Sequence, residues 1–449
     1  MHRSTSIIKT SAVLFKGMKL FENFFLLLSF FAILLSQFGD TLAQTEIEAK
    51  ITKGGVKYIE ALDIAVIDFS PADSDYAGRI TRVVRDDLNY SLYFRVAEID
   101  SFVLAILSDD LYNMDGWYQL GVQYLLDGSV QMEEEKLKVK INLADVIRKK
   151  VIKTFKFETK PESYRALAHA ISDEVVLNFT GQKGIFSTKI AYVQFKAGYK
   201  EIYICDYDGY NPYPVTNDRS INVSPAWSPD GSKLVYTTYK KRNPDLWITD
   251  LETSESEVLT SYPGLNSAPS WSPDGEYLAV TLTKDGNPEI YLITPEGEMV
   301  RRLTYSRAID SSPTWAPNGK EIAFTSDRSG YPQIYVIDTE GTNLRRLTYT
   351  GDITDSPCWS PRGDRIAFVL RGGGTLDIYT IDLTGENLSR LTYKGSNENP
   401  RWSPDGLHIV FGSNRTGQYE VYTMHWDGSD QRRITGEGEN YNPSWSLRF

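Results

Sequence analysis

Through the carboxy-terminal three-fifths of the chain, apolar residues come in short runs of alternating or β-branched character. Ile322-Ala323-Phe324-Thr325 and Gln333-Ile334-Tyr335-Val336-Ile337 are examples, and Gly, Asn and Asp separate them. Short runs bounded by turn formers predict β-strands. The pattern repeats. Ser224-Pro225-Ala226-Trp227-Ser228-Pro229-Asp230-Gly231 returns at Ala268 to Gly275, Ser312 to Gly319, Ser356 to Gly363 and Asn399 to Gly406, and a shorter copy runs from Asn442 to Ser446. Trp227, Trp271, Trp315, Trp359, Trp402 and Trp445 stand 44, 44, 44, 43 and 43 residues apart. Twenty residues after each of the first five comes an aromatic (Trp247, Tyr291, Tyr335, Tyr379, Tyr422), and 33 after it a threonine (Thr260, Thr304, Thr348, Thr392, Thr435). A period of this size holding four strands is one propeller blade. Strand A carries the tryptophan, the Ser-Pro-Asp-Gly type turn leads to B, a loop leads to C, and D ends in Leu-Thr.

Closure is legible at the ends of this region. Ile190 to Val193, Glu201 to Cys205 and Pro214 to Thr216 supply strands B, C and D with no A before them, while Trp445 supplies an A. The carboxy-terminal strand is therefore expected to complete the first blade, giving a ring of six blades without a free sheet edge.

Ahead of the propeller the periodicity changes. Ile64 to Phe69 reads as a buried strand, and Ala77 to Asn89 has helical spacing at Ile80, Val83, Val84 and Leu88, with Asp73 or Ser74 as cap. Phe94 to Ala97, Tyr124 to Val130, Leu137 to Leu143 and Val151 to Phe157 read as further strands. Lys138, Lys140 and Asn142 alternate with apolar neighbours, which gives the sheet one wet face. Pro161 opens a last helix through Asn178, buried along Leu167, Ile171, Val175 and Val176. The fold class is α+β: a small α/β domain over 44–183, then a six-bladed β-propeller over 184–449. Glu133-Glu134-Glu135 reads as a solvated hairpin tip.

Residues 1–43 stand apart from this pattern. Lys9, Lys16 and Lys19 precede an apolar run from Phe24 to Leu35, and Thr41-Leu42-Ala43 offers small residues before Gln44. The run is too short to span a bilayer and predicts a cleaved secretory signal, with Met1 or Met18 as the start. The full chain carries a net charge of −11; loss of four basic and two acidic residues with the signal leaves −13. An acidic exported chain is a poor binder of nucleic acid and is not membrane-embedded after cleavage. Residues 44 to about 60 are polar and are expected to be mobile at their start. Cys205 and Cys358 fall in blades 1 and 5, which are not neighbours, and read as buried small residues rather than a disulfide. Three histidines follow the signal, His169, His408 and His425, and they lack metal-site spacing; Asp206-Tyr207-Asp208-Gly209 reads as a turn rather than a calcium loop. No cofactor is implied.

An α/β domain followed by a six-bladed Trp-Ser-Pro-Asp-Gly propeller resembles the TolB family, periplasmic components of the Tol-Pal system. In the amino-terminal part the likeness lies at Ile64 to Phe69, Arg85-Asp86-Asp87-Leu88 and Tyr124 to Val130. The resemblance implies a monomeric, non-catalytic protein of the cell envelope that supports outer-membrane integrity and constriction at division. It implies docking of a Pal-like peptidoglycan-associated lipoprotein at the mouth of the propeller channel, and of a TolA-like protein through residues 44–55. Carried onto this sequence, the partner-binding positions are Asn222, then Leu265, Asn266, Ser267 and Ala268, then Ile309, Asp310 and Ser311, then Thr354 and Asp355. Blade geometry points to the same place, because strand A is innermost and the D-to-A loops before it converge on one concave surface. Five residues before each tryptophan stands a polar side chain (Asn222, Asn266, Asp310, Thr354, Asn397, Asn440), which suits either a binding rim or local capping of strand A.

Two other functions use the same scaffold. A propeller peptidase needs a Gly-x-Ser-x-Gly elbow, and this sequence has none. A glycan-binding propeller would use aromatics such as Tyr305, Tyr331 and Tyr441 at the channel mouth.

Overall fold

The computed structural model describes residues 49–51, 57–71, 74–98 and 112–447, with side chains from residue 60 onwards. The segment read as a signal, and most of 44–56, lie outside the described residues. Within the stretch expected to be mobile, β1 (Ala49–Ile51) pairs with β2 (Lys57–Ile59) as an antiparallel hairpin.

The amino-terminal domain is a five-stranded sheet in the order β4-β3-β5-β6-β7. β3 (Leu62–Val66) lies parallel to β4 (Phe94–Val96) and to β5 (Tyr124–Glu133); β5, β6 (Lys136–Asp145) and β7 (Lys150–Thr159) form an antiparallel meander. The expected strand to Phe69 closes at Val66, although Ile67 N still donates to Leu126 O. α1 (Asp75–Tyr90) is capped by Ser74, whose side chain accepts from Ala77 N, and it buries Ile80, Val83, Val84 and Leu88. The helix expected from Pro161 begins with a 3₁₀ turn, Pro161–Ser163. It becomes regular from Tyr164 to Thr180 and ends on Gly181, whose φ of 72° is the left-handed stop that glycine supplies at lowest cost. A short helix, Met114–Gln119, was not legible in the sequence. Glu134 and Glu135 form the β5–β6 turn and are exposed, as expected of a solvated tip.

Six four-stranded sheets follow, and the ring closes as the sequence predicts. Glu439–Trp445 pairs with Lys189–Lys196 and so becomes strand A of blade 1. Every strand A carries the same irregularity: three residues before the tryptophan the backbone turns left-handed, at Ser224, Ala268, Ser312, Ser356, Asn399 and Asn442 (φ 43–56°). The register shifts there, so a bulge bends each strand A. Just beyond the bulge the tryptophans wedge between blades. Trp227 Nε1 donates to Ser444 O, Trp315 Nε1 to Ser270 O and Trp402 Nε1 to Cys358 O, each a carbonyl of the preceding blade. Cys205 and Cys358 are free and buried in separate blades.

The amino-terminal domain sits on the turn end of blades 1 and 6, where A joins B and C joins D. His408 Nε2 lies 2.8 Å from Tyr90 O, Tyr207 Oη donates to Asp87, and Asp173 accepts from the amides of Phe186 and Ser187. One apolar core crosses this seam, joining Leu88, Ile171 and Val175 to Phe186, Tyr207, Val410, Val421 and Trp445.

Candidate functional site

Because the amino-terminal domain covers the turn end, the opposite end of the ring, made by the D-to-A and B-to-C loops, is left uncovered by it. Strand A starts on the residue five before its tryptophan, as in Asn222–Trp227, Asn266–Trp271 and Asp310–Trp315. At that position Asn222, Asn266, Asp310, Thr354, Asn397 and Asn440 are all completely buried.

Their partners explain the burial. Asn266 Nδ2 donates to the carbonyls of Pro244, Tyr262 and Gly264, while its Oδ1 accepts from Tyr262 N. Asn222 donates to Lys200 O, Glu201 and Asp218; Asn397 to Leu376 O and Asp377; Asn440 to Glu420 and Glu437 O. The second member of the set is the residue two before each strand-C aromatic: Glu201, Asp245, Glu289, Gln333, Asp377 and Glu420. The third is the threonine that ends strand D. Thr216 donates to Glu201, Thr348 to Gln333, Thr392 to Asp377 and Thr435 to Glu420, and each threonine also accepts a backbone N–H of strand C. Strands C and D of one blade are thus clipped to strand A of the next at the loop end of the ring. Between blades 3 and 4 the strand-A member is itself charged: Arg328 Nη2 lies 2.7 Å from Asp310, whose carboxyl is raised by burial against that lowering contact.

Of the ten positions expected at the rim, then, Asn222, Asn266, Asp310 and Thr354 are not on its surface. A buried loop needs its backbone groups paired, and these side chains pair them. The strand-C members of the set were missed, although their fixed offset from the aromatic was the available signal. Leu265, Ser267, Ala268, Ser311 and Asp355 are half-buried, and Asp355 accepts from Thr325 Oγ1 and Ser356 N. Ile309 is 52% exposed. Ile309 and Leu265 stand six before their tryptophans, and the same position holds Ile221, 44% exposed, and half-buried Ile353. Four consecutive blades therefore place an aliphatic side chain at the mouth. Below it the channel has a volume of about 370 Å³, lined by the strand-A tryptophans of all six blades and by Pro229, Pro273, Pro317, Pro361 and Pro404 beyond them.

Further out, Tyr305, Tyr349 and Tyr393 follow the Leu-Thr of blades 3, 4 and 5 and are 77%, 73% and 69% exposed. Each lies under its own arginine, Arg302, Arg346 or Arg390, with 4.5–4.7 Å from guanidinium to ring centre. Tyr331 is exposed, whereas Tyr441 is half-buried and donates to Glu439.

The three histidines, far apart in sequence, meet at the seam between the domains. His408 and His425 lie tilted against Tyr90, and His169 Nδ1 bonds Asp87 at 2.9 Å. Burial holds the His425 imidazole down, to about 4. Burial also works to lower His169, but Asp87 and Asp208 outweigh it and raise the group. Ligand atoms of His169, Asp206 and Asp208 lie within 4.8 Å of one another, a grouping the sequence spacing did not reveal. Side-chain cations already occupy it: Lys189 pairs with Asp206 and Arg165 with Asp208, so the group serves as an interdomain ion-pair cluster. The Asp206 to Gly209 turn is closed by Gly209 N donating to Asp206 O.

Comparison with known proteins agrees with this architecture. The family model described as the TolB beta propeller domain matches residues 176–369 and 351–448, and that of the TolB amino-terminal domain matches 47–152. The Tol-Pal system protein TolB of Desulfosudis oleivorans is 39% identical over 156 residues, covering 33% of this chain and 35% of that protein. Its counterpart in Methylobacillus flagellatus is 32% identical over 212 residues, 45% of this chain and 47% of that one. These alignments span less than half the length of the relatives. Over the whole fold, the crystal structure of TolB from Acinetobacter baumannii superposes with a TM-score of 0.75 at 29% identity, covering 87% of this chain and 97% of that one. With both domains matched in order and the six-bladed ring closed by the last strand, the chain belongs to the TolB family.

Proposed function

We propose that this protein is a periplasmic, non-catalytic docking component of a Tol-Pal system, binding a Pal-like lipoprotein at the open mouth of its propeller. The observation that carries the reading is the aliphatic arc of Ile221, Leu265, Ile309 and Ile353, set on the face that the amino-terminal domain leaves uncovered. Exposed apolar groups above a rigid hydrogen-bonded frame supply contact area at little ordering cost. The relatives' names as Tol-Pal system proteins support the system assignment. A TolA-like partner engaging residues 44–55 belongs to the same reading, as does a role in envelope integrity and constriction.

The test is calorimetric titration with the soluble domain of a Pal-like lipoprotein from the same cell, repeated on Leu265→Asp/Ile309→Asp. Saturable binding that falls about tenfold or more in the double variant, with melting unchanged, is the expected result. Binding that ignores the double variant would move the interface elsewhere.

A second reading rests on the three arginine-backed tyrosines of blades 3 to 5, a stacking surface suited to sugar rings. Retention on purified peptidoglycan without any protein partner, lost on Tyr349→Ala/Tyr393→Ala, would favour it.

A further inference from the structure

Between the domains, on the turn end of blades 1 and 6, lies a second cavity of about 560 Å³. Five arginines line it in a chain of net charge −11: Arg79 and Arg82 from α1, Arg165 from the last helix of the amino-terminal domain, and Arg432 and Arg433 from strand D of blade 6. Three of them lie over tyrosine rings. Arg165 lies 3.4 Å over Tyr210, Arg432 4.1 Å over Tyr90 and Arg79 5.1 Å over Tyr164.

Carboxylates nearby neutralise only part of the set. Asp87 is already engaged by His169 and Tyr207, Asp208 by Arg165, and Asp430 and Asp75 pair with Arg432 and Arg79. Among the described residues, neither Arg82 nor Arg433 has a carboxylate within ion-pair distance, and Asp86 is the one lining carboxylate left without a bonded partner. Burial and the neighbouring Asp87 push the Asp86 carboxyl up, against the lowering pull of Arg432, Arg165 and Arg82. Arg82 and Arg433 belong to different domains yet line one space. That space is many times larger than the roughly 30 Å³ share of one water, which suits an ion with more than one anionic group.

We propose that the seam cavity binds a small multivalent oxyanion of the pyrophosphate class, bridged between Arg82 of the amino-terminal domain and Arg433 of the propeller. A ligand so placed tightens the two domains on one another, because it binds only where both arginines face the same space.

Titration of the purified chain with pyrophosphate, against sodium chloride at equal ionic strength, tests the site by calorimetry and thermal melting. Saturable heat and a rise in melting temperature with pyrophosphate alone are expected, with the affinity falling at least about tenfold in Arg82→Gln/Arg433→Gln. Arg433→Gln alone provides the same reading at smaller amplitude should the double variant fold poorly. Orthophosphate and citrate arms distinguish a need for two phosphates from a need for charge alone. Equal stabilisation by chloride, or binding undiminished in the arginine variants, would overturn the proposal. The titration contains no lipoprotein, so its outcome is independent of the docking role.

Discussion

Asn266 and Leu265 are neighbours with opposite fates, and the reason is the two-residue period of a strand. Asn266 opens strand A and points inward, where four hydrogen bonds hold the D-to-A loop; Leu265, one residue earlier, stays at the mouth. Asn266→Ala leaves the amide of Tyr262 and three carbonyls to find new partners in a buried place. The expected loss is about 1–3 kcal/mol in urea denaturation, with no effect on partner binding beyond that loss of stability. An unchanged midpoint would mean that water replaces the side chain. The sequence displayed the polar residue in all six blades but not its direction, since a binding rim and an internal clip ask for the same residue types. The direction turns on whether strand A begins one residue sooner, a boundary that composition does not mark.

At the scale of elements, most strands were legible because each repeat states its own register six times over. The missed helix Met114–Gln119 is instructive: six residues with two buried side chains, Met114 and Trp117, are too few to display a period. Ring closure was legible for a different reason, namely that an unmatched A and an unmatched B-C-D add up to one blade. Its energetics rest on Glu439–Trp445, which supplies the pairing edge for Lys189–Lys196, the carbonyl that receives Trp227, and a tryptophan of the shared core. Deleting everything after Gly438 should therefore cost more than a single core truncation of roughly 3–5 kcal/mol. Circular dichroism of the truncated chain is expected to show lost cooperativity and a tendency to associate through the opened edge of blade 1. A sharp, native-like transition would show that five blades and a fragment suffice.

For the whole molecule, the seam was the least legible part. His408 and Tyr90 are 318 positions apart, and no local pattern announces that they touch. Because one core spans both domains, calorimetry should record a single unfolding transition, with van't Hoff and calorimetric enthalpies in agreement. Two separable transitions would mean that the shared core contributes little. The shared core also has a consequence in time. A chain made from its amino end completes the amino-terminal sheet early, yet Val410, Val421 and Trp445 are still missing from beneath it. Neither domain is finished until the final strand arrives, so a product cut short anywhere before Trp445 is defective at both ends at once. The closing strand thus works as an inspection of completeness, leaving prematurely terminated copies open to proteases while sealing the finished ones.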